Sequence, residues 1–344
     1  MTMESDRPLD LLLYAAVPRQ TMLDQGFYAA EVEGLRADPR VRSVIATNRL
    51  DDVHKAKVDG IVSYFYSHSA AVGAIARMRG IPVIATGGCE QLLRDSTTPA
   101  HIYLARTAAF HACTVVMDRI LATSTSDFER MREVARIGRD RIQLSFHGVA
   151  AVEHVAAEHF DRPRAPASLV TIAGLDSELN VRRKGVLEAV DLLSRFHAHD
   201  PSASLTIVGR DTYRAMVEER AAVRGVSGRV HITGYVTEQE KLNLLRKSRF
   251  YVQLSEYEGF GIGALEGLAQ GCQVIHTNMG GLQDTISEYG IVLPRESVPN
   301  FDPSQIKTRA LNAMDMKEHF TKFSVSIRAN TIIEALCKNN YNKP

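Results

Sequence analysis

The sequence lacks an excess of positive or negative charge and cysteines at metal-ligand spacing. It also lacks a hydrophobic run long enough to cross a membrane. Its 344 residues contain 41 lysines and arginines against 40 aspartates and glutamates, so the net charge gives no reason to expect nucleic acid as the main partner. The apolar run at residues 9–17 is too short to span a bilayer, and it follows an acidic and polar start instead of the basic start of a signal peptide.

The cysteines are few and widely scattered, with neither a CxxC pair nor a companion histidine at metal-ligand spacing. They are Cys89, Cys113, Cys272 and Cys337. Isolated cysteines of this kind are typical of buried, reduced thiols in a reducing compartment. The sequence therefore predicts a cytoplasmic protein without a metal site.

Two arginine-containing stretches leave the question of membrane contact open. RMRG at residues 77–80 and RMREVARIGRDR at residues 130–141 fit either contact with acidic lipid headgroups at the inner face of the membrane or ordinary solvated helix surfaces. The acidic residues mixed into the second stretch favour the solvated interpretation.

The length and the alternation of short β-rich runs with amphipathic segments predict a two-domain α/β protein with parallel sheets. The first series of strands is LDLLLYAAV, VRSVIATN, GIVSYFY, IPVIATGG, RILATS and RIQLSFHG, and the second is SLVTIAGL, ASLTIVGR, RVHITGY, FYVQLSE, CQVIHTN and YGIVLP. The proline-rich DRPRAPAS between them is the best linker candidate. We therefore expect two Rossmann-like domains facing each other across a cleft, at residues 1–162 and 163–319.

In open α/β sheets ligands bind beyond the carboxyl ends of the strands, which directs attention to the loops there. After SLVTIAGL, the cations Arg182, Arg183 and Lys184 stand just before a helical segment, where they would form either a diphosphate site or a solvated basic turn. After ASLTIVGR, Arg210 is expected to point into the cleft. After RVHIT, the backbone around Val236 is placed to meet a flat base.

The stretch SEYEGFGIGALEG, residues 255–267, has the largest number of candidate ligand-binding residues among these loops. Its glycines at 259 and 261 permit a sharp bend through which a phosphate can approach backbone N–H groups, and a helix from about Ile262 would point its positive end at that phosphate. Glu266 would lie in the second turn, where a carboxylate can accept two ribose hydroxyls. Glu258, before the bend, would sit nearer the reacting sugar.

Glu258 and Glu266, with GFGI between them, match the E-x7-E motif of the retaining glycosyltransferases of family 4, which have the GT-B fold. The segment from LTIVGR at residue 205 to DTI at residue 286 resembles the C-terminal domain of that family almost throughout. The turn GGLQD at residues 280–284 resembles the GG-x-x-E turn of the family, with Asp284 in place of glutamate.

The resemblance implies a role for each matched residue. Lys184 corresponds to the phosphate-binding lysine, Glu258 to the carboxylate beside the donor sugar, Glu266 to the ribose ligand and Val236 to the base-binding loop. The backbone of four residues corresponds to the diphosphate cradle: Gly259, Phe260, Gly261 and Ile262. The second diphosphate cation, an arginine in a G-R-L sequence, is missing because the run here is Ala-Gly-Leu at residues 173–175; Arg183 or Arg182 is the candidate substitute.

The first half resembles the family in outline only. The strand in RGIPVIATGGCEQ normally ends in a histidine facing the donor sugar, and Gly88 stands at that position. His68 and Glu90 are the nearest alternatives for a sugar contact, each weighed against an ordinary loop role. The first loop, expected to face the acceptor, has only Gly26 where the family has adjacent glycines. The resemblance also implies that the closing helix, about residues 320–344, packs back on the first domain.

The resemblance implies retaining, metal-independent transfer from a nucleoside diphosphate sugar to an acceptor hydroxyl, in cell-surface polysaccharide or glycoconjugate synthesis. The donor is then a substrate and no cofactor is required. The expected partners are the nucleotide sugar and a saccharide, lipid-linked or small-molecule acceptor. Two alternatives remain: a nucleotide-sugar-binding protein of the same fold with little turnover, and a sugar-nucleotide epimerase.

Overall fold

The computed structural model describes residues 7–24, 26–93 and 98–337, which form two compact units. Unit 1 comprises Met1–Ala150 and Lys322–Pro344, and unit 2 comprises Ala151–Thr321. Each unit is built on a six-stranded sheet in which every pairing is parallel. The predicted α/β class with two series of strands is therefore confirmed.

The sheet of unit 1 has the strand order β2-β1-β3-β4-β5-β6. Its strands are β1 (Leu9–Tyr14), β2 (Val41–Thr47), β3 (Gly60–Tyr64), β4 (Val83–Thr86), β5 (Arg119–Ala122) and β6 (Ile142–Leu144). Leu11 and Leu13 lie in one buried apolar cluster while Leu12 and Tyr14 lie in another. Successive side chains of β1 thus pack on opposite faces, which explains why its sequence is a nearly continuous apolar run.

Helices cover both faces of this sheet. They are α1 (Arg19–Asp24), α2 (Gly26–Ala37), α3 (Leu50–Lys55), α4 (Tyr66–Met78), α5 (Ala100–Val116), α6 (Thr125–Val134) and, from the end of the chain, α16 (Val325–Cys337). The short α7 (Ala150–Glu153) stands at the division between the units.

Helix α16 packs within unit 1, beside α2. Ile332, Ile333 and Leu336 are buried in the cluster that also holds Leu11 and Leu35. The last part of the closing helix expected from the sequence, residues 338–344, lies outside the described residues.

The sheet of unit 2 has the order β12-β11-β10-β7-β8-β9. Its strands are β7 (Ser168–Ile172), β8 (Ser204–Val208), β9 (Val230–Ile232), β10 (Phe250–Gln253), β11 (Gln273–His276) and β12 (Ile291–Val292). Its helices are α8 (Glu158–Asp161), α9 (Glu178–Arg183), α10 (Val186–His199), α11 (Arg214–Val223), α12 (Glu238–Lys247), α13 (Ile262–Ala269), α14 (Leu282–Thr285) and α15 (Ala313–Thr321). This strand order is that of a Rossmann sheet.

The division between the units falls earlier than the boundary expected at residue 162. The proline-rich segment is held on unit 2, because the guanidinium of Arg164 donates to the carbonyls of Gln270 at 2.7 Å and Arg246 at 3.1 Å. His159 Nδ1 also lies 3.3 Å from the carbonyl oxygen of Ala269. The predicted linker is thus an anchored part of unit 2.

The arginines of the two basic stretches donate largely to backbone carbonyls. Arg79 donates to Val53 and Ala56 at 2.7 Å each, and Arg139 donates to Ala135 at 2.7 Å. Membrane contact by these stretches stays a prediction. Within the described residues, the helices are all too short or too polar to cross a bilayer.

Candidate active site

The candidate site lies at the carboxyl edge of the unit 2 sheet, where β7 and β10 are neighbours. From β7 the chain proceeds outward through β8 and β9, whereas from β10 it proceeds the opposite way through β11 and β12. The loops after β7 and β10 therefore diverge and leave a crevice between them. Such a topological switch point is the usual ligand site of an open α/β sheet.

Lys184 and Glu258 meet above this switch point. Lys184 Nζ lies 2.8 Å from Glu258 Oε1 and 2.6 Å from Oε2, and the two side chains are only 19% and 13% exposed. Lys184 is presented by a tight turn between α9 and α10, in which Gly185 has φ 69° and a Cβ would lie 1.9 Å from the carbonyl oxygen of Leu254. A side chain at 185 would thus push the lysine away from the β10 loop.

The Glu258 carboxylate accepts further hydrogen bonds from the end of β10. Ser255 Oγ lies 3.2 Å and Gln253 Nε2 3.3 Å from Oε2, and Gln253 is itself fixed by Tyr251, whose hydroxyl donates to it at 2.9 Å. Burial alone would raise the pKa of Glu258, but the charges of Lys184 and Arg183 outweigh it, so that the pKa is lowered. Glu258 is therefore an oriented anion at neutral pH.

The bend after Glu258 is held by the GGLQD turn. Gly281 N–H donates to the carbonyl of Glu258 at 2.7 Å, and Thr285 Oγ1 donates to that of Phe260 at 3.1 Å. Gly261 has φ 92°, and a Cβ there would lie 2.7 Å from Leu282. Helix α13 begins at Ile262, as predicted, so its positive dipole end and the first N–H groups, which have no partner within the helix, lie beside the Lys184–Glu258 pair.

Two further glycines bring α13 close to β10. A Cβ at Gly263 would lie 2.5 Å from the Tyr251 hydroxyl, and a Cβ at Gly267 would lie 2.8 Å from the Tyr251 ring. The helix can lie this close to the strand only because both side chains are absent.

Glu266 lies on α13 and is 5% exposed. Its Oε1 accepts a hydrogen bond of 2.8 Å from Lys241 Nζ, on α12. Burial raises the pKa of Glu266, and the nearby Lys241 only partly offsets this. Lys241 also pairs with Glu238 at 2.7 Å.

The two arginines before Lys184 differ in their distance from the site. Arg183 donates to the carbonyl of Tyr257 at 3.1 Å and, within α9, to Asn180 Oδ1 at 2.9 Å, so it links α9 to the β10 loop with its charge near Glu258. Arg182 points outward and pairs with Glu178 at 2.8 Å, both more than half exposed. Of the two candidate substitutes for the family arginine, Arg183 is therefore the one that the structure brings to the site.

Arg210 and Val236 lie on the loops after the two strands beyond β7. Arg210 is 62% exposed and 4.0 Å from Asp176, and hence at the rim of the edge. Val236 is half-buried and precedes a capping box in which Thr237 Oγ1 accepts from Glu240 N at 3.3 Å.

The four predicted residues of unit 1 lie on three elements. Gly26 begins α2, His68 is exposed in the first turn of α4, and Glu90 is half-buried in a 3₁₀ turn, Cys89–Leu92. Gly88 has φ 92°, and a Cβ there would lie 3.3 Å from Phe65. A histidine at 88 would be strained in this backbone, which agrees with its absence from the sequence.

Sequence reasoning missed four side chains that support the site: Gln253 and Ser255, which donate to Glu258, Lys241, which donates to Glu266, and Asn180, which accepts from Arg183. Lys241 carried a signal, because it follows Glu238 by three residues on a helix that begins directly after the loop predicted to meet a base. Among the described residues, no group of three or more His, Cys, Asp and Glu side chains could hold a metal ion.

Comparison with known proteins finds a family to which this part of the chain is similar. Residues 179–327 match the family Glycosyl transferases group 1. A glycogen synthase of Mycobacterium tuberculosis is 27% identical over 215 residues, 62% of this chain and 50% of that enzyme. A GDP-mannose:cellobiosyl-diphosphopolyprenol alpha-mannosyltransferase of Xanthomonas campestris is 31% identical over 155 residues, 44% of this chain and 38% of that enzyme. The chain thus spans about half the length, or less, of these relatives.

The fold has solved counterparts over nearly the whole chain. The structure of Anabaena Alr3699/HepE in complex with UDP-glucose has a TM-score of 0.71 at 16% identity and covers 96% of this chain and 100% of that one. At this identity the likeness concerns the fold. Residues 179–327, which include Lys184, Glu258 and Glu266, are thus similar to the Glycosyl transferases group 1 family, in a chain that has the GT-B fold of solved glycosyltransferases.

Proposed function

We propose that the protein is a retaining glycosyltransferase of family 4, which moves a sugar from a nucleoside diphosphate sugar to an acceptor hydroxyl. The observation that carries the proposal is the Lys184–Glu258 pair above the β7/β10 switch point, next to the N-terminus of α13. A cation and the N–H groups at a helix N-terminus bind a diphosphate, and a carboxylate beside them accepts hydroxyls of the attached sugar.

Each residue has a part in this proposal. Lys184, the nearby charge of Arg183 and the α13 N-terminus stabilise the diphosphate, whose negative charge grows as it leaves. Glu258 accepts hydroxyls of the donor sugar, and Glu266 accepts those of the ribose. The backbone of the Gly259–Ile262 bend holds the phosphates, and the Val236 loop meets the base.

In the proposed reaction the bond between the anomeric carbon and the diphosphate oxygen breaks, and a bond from that carbon to the acceptor oxygen forms on the same face. The proton of the acceptor hydroxyl passes to the departing diphosphate. No protein base is then required, and catalysis consists of positioning and charge stabilisation. Lys184 and Arg183 serve in place of a metal ion, so transfer is proposed to be metal-independent and to require no cofactor.

The acceptor is proposed to be a saccharide or a lipid-linked saccharide, in polysaccharide or glycoconjugate synthesis. This class is supported by the relatives named above, a glycogen synthase and a mannosyltransferase whose name specifies a diphosphopolyprenol-linked sugar. Peripheral association with a membrane belongs to the same proposal, and flotation with anionic vesicles tests it.

The first experiment is a thermal-shift panel of UDP-, GDP- and ADP-sugars. A ligand that binds only the folded state raises its stability, so the true donor should raise the melting temperature selectively. The stabilising donor is then incubated with saccharide and polyprenol-linked acceptors in the presence of EDTA, and the anomeric configuration of the product is read by NMR. Retention of configuration without metal is the expected result.

Matched variants identify the site. Glu258→Gln should lower transfer by about a hundredfold, the size of effect found when one stabilising group is removed from an active site. Glu178→Gln removes an exposed carboxylate of the same unit and should leave transfer unchanged. Selective binding without transfer to any acceptor would favour a nucleotide-sugar-binding protein, and interconversion of the donor without acceptor would identify an epimerase. No stabilisation by any nucleotide sugar would refute the proposal.

A further inference from the structure

Lys241 joins two elements of the proposed nucleotide site. It stands one turn into α12, directly after the capping box that follows the Val236 loop. Its ammonium donates to Glu238 Oε2 at 2.7 Å on its own helix and to Glu266 Oε1 at 2.8 Å on α13. The lysine side chain is only 12% exposed, and that of Glu266 is 7% exposed.

We propose that Lys241 is a positioning residue for the ribose of the nucleotide, because its ammonium orients the Glu266 carboxylate and ties it to the helix behind the base-binding loop. This inference rests on the proposed function, and it adds a residue to the nucleotide site that the E-x7-E motif does not contain.

The hydrogen bonds of Glu266 support this role. Within the part of the chain that the structure describes, its side chain has one hydrogen-bond partner, Lys241, which contacts Oε1. Oε2 and the second lone pair of Oε1 are left for ligand hydroxyls. A carboxylate fixed through one oxygen has a defined orientation, which lowers the entropy cost of binding a diol.

Electrostatics supports the same role. Glu266 is acted on by Lys241 and Glu238 from α12, and Tyr251 is the titratable side chain beneath α13 on β10. Burial raises the pKa of Glu266, Lys241 opposes this and Glu238 adds to it. Without the lysine, the pKa of Glu266 would rise further. A protonated carboxyl group carries no charge, so it accepts hydroxyls less strongly.

The test compares Lys241→Met, Lys241→Arg and Lys247→Met by calorimetric titration over a range of pH. The ligands are the nucleoside diphosphate selected by the thermal-shift panel and inorganic pyrophosphate. Lys247 is exposed at the far end of the same helix and serves as the matched control.

Lys241→Met should bind the nucleoside diphosphate roughly tenfold more weakly at neutral pH, the loss typical of one charge-assisted hydrogen bond. The loss of affinity should grow as the pH falls, because Glu266 becomes protonated at a higher pH in the variant than in the unaltered protein. Pyrophosphate binding should be unchanged because its proposed partners, Lys184 and the α13 N-terminus, are intact. Lys241→Arg should retain most of the affinity, and Lys247→Met all of it.

The possible failures can be told apart. Equal nucleotide affinity of Lys241→Met and the unaltered protein at every pH would overturn the role of Lys241. An equal loss for nucleotide and pyrophosphate would also overturn it, because it would indicate a structural role for α12. If the unaltered protein bound pyrophosphate but no nucleoside diphosphate, the proposed function itself would be wrong.

Discussion

Lys184 and Glu258 are 74 residues apart in the sequence, yet the ammonium of one contacts both carboxylate oxygens of the other. The cation proposed to hold the diphosphate is therefore already paired with an anion of the same site. A phosphate that enters must compete with Glu258 for Lys184. This relationship determines how the two residues should differ when each is changed alone.

Glu258→Gln should bind inorganic pyrophosphate more tightly than the unaltered protein, by about threefold to tenfold, because the competing charge is gone and a partly exposed pair is worth about 1 kcal/mol. Transfer should nevertheless fall, since Glu258 is proposed to hold the sugar. Calorimetric titration with pyrophosphate at constant ionic strength measures the first effect. Lys184→Met is the opposite control and should lose pyrophosphate binding. Weaker pyrophosphate binding by Glu258→Gln would contradict the competition.

Lys184→Met should destabilise the protein by about 2 kcal/mol at neutral pH, because Glu258 is left as a nearly buried anion without its counter-charge. The loss is somewhat less than that expected for a fully buried ion pair, since both side chains are partly exposed. In the unaltered protein the pKa of Glu258 is lowered, so its contribution to stability is present above the unfolded-state pKa and is lost as the pH falls through the folded-state pKa. In Lys184→Met the loss of the ammonium raises the pKa of Glu258, so the stability deficit of the variant should shrink as the pH falls. Urea unfolding at neutral and mildly acidic pH measures this. The double variant Lys184→Met/Glu258→Gln has no carboxylate at 258, so its loss of stability should not change with pH in this way.

The strands were predictable from the sequence. Each of the twelve β-rich runs singled out contains one of the strands β1 to β12, because a parallel strand buried on both faces is a short apolar run bounded by polar or glycine-containing loops. The start of α13 at Ile262 was predicted from the glycine bend before it. The strand order was not predictable, since it depends on which helices cover which face.

The site was predicted in part. The spacing of Glu258 and Glu266 around a glycine bend placed both at one sheet edge, but periodicity carries no information on what a long side chain contacts. The sequence predicts Arg183 or Arg182 as the substitute for the second diphosphate cation, and it does not predict that the guanidinium of Arg183 donates to Asn180 and to the carbonyl of Tyr257. Lys241 was overlooked because its partner Glu266 is 25 residues away and comes from another helix.

Arg328→Met should cost about 4 kcal/mol of unfolding free energy, because it leaves a buried carboxylate without its counter-charge. Arg328 Nε lies 2.8 Å from Glu31 Oε2 between α16 and α2, with side chains 1% and 3% exposed. Chemical unfolding measures the loss. Arg40→Gln is the matched control: Arg40 also contacts α16, at Asn330, but is exposed, so less than 1 kcal/mol is expected, about the median for surface pairs. Similar losses of unfolding free energy for the two variants would show that the buried ion pair contributes no more to stability than the exposed one.

His276 should make unit 2 sensitive to acid. Burial lowers its pKa from 6.5 to about 4, so it is neutral when folded, and protonation favours the unfolded chain. The stability it contributes is present above pH 6.5 and is lost as the pH falls toward about 4, with a full effect of about 3 kcal/mol. His276→Asn keeps an acceptor for the N–H of Asn278 and should flatten the dependence of unfolding free energy on pH. An unchanged slope would contradict the assignment. His101→Asn, at an exposed histidine, is the control.

The contact between α13 and β10 leads to the last prediction. Gly267→Ala would place a methyl carbon 2.8 Å from the Tyr251 ring, so it should destabilise the protein by roughly 2 kcal/mol. It should also weaken nucleotide binding, because α13 carries Glu266 and the N-terminus that is proposed to face the phosphates. Gly263→Ala meets chiefly the Tyr251 hydroxyl, with the next atom, Ile172 Cβ, at 3.3 Å. Tyr251→Phe should therefore rescue Gly263→Ala but not Gly267→Ala.

Melting temperatures and nucleotide affinities of the two single variants, the two double variants and Tyr251→Phe alone measure this difference. Gly228→Ala, where a Cβ would have nothing within 4 Å, should be neutral. Tyr251→Phe alone should cost about 1 kcal/mol, since it removes the hydroxyl that donates to Gln253. Equal rescue of both glycine variants would mean that the helix moves as a body away from the strand. In that case the nucleotide affinity, which is proposed to depend on the position of Glu266, should stay low even where the melting temperature recovers.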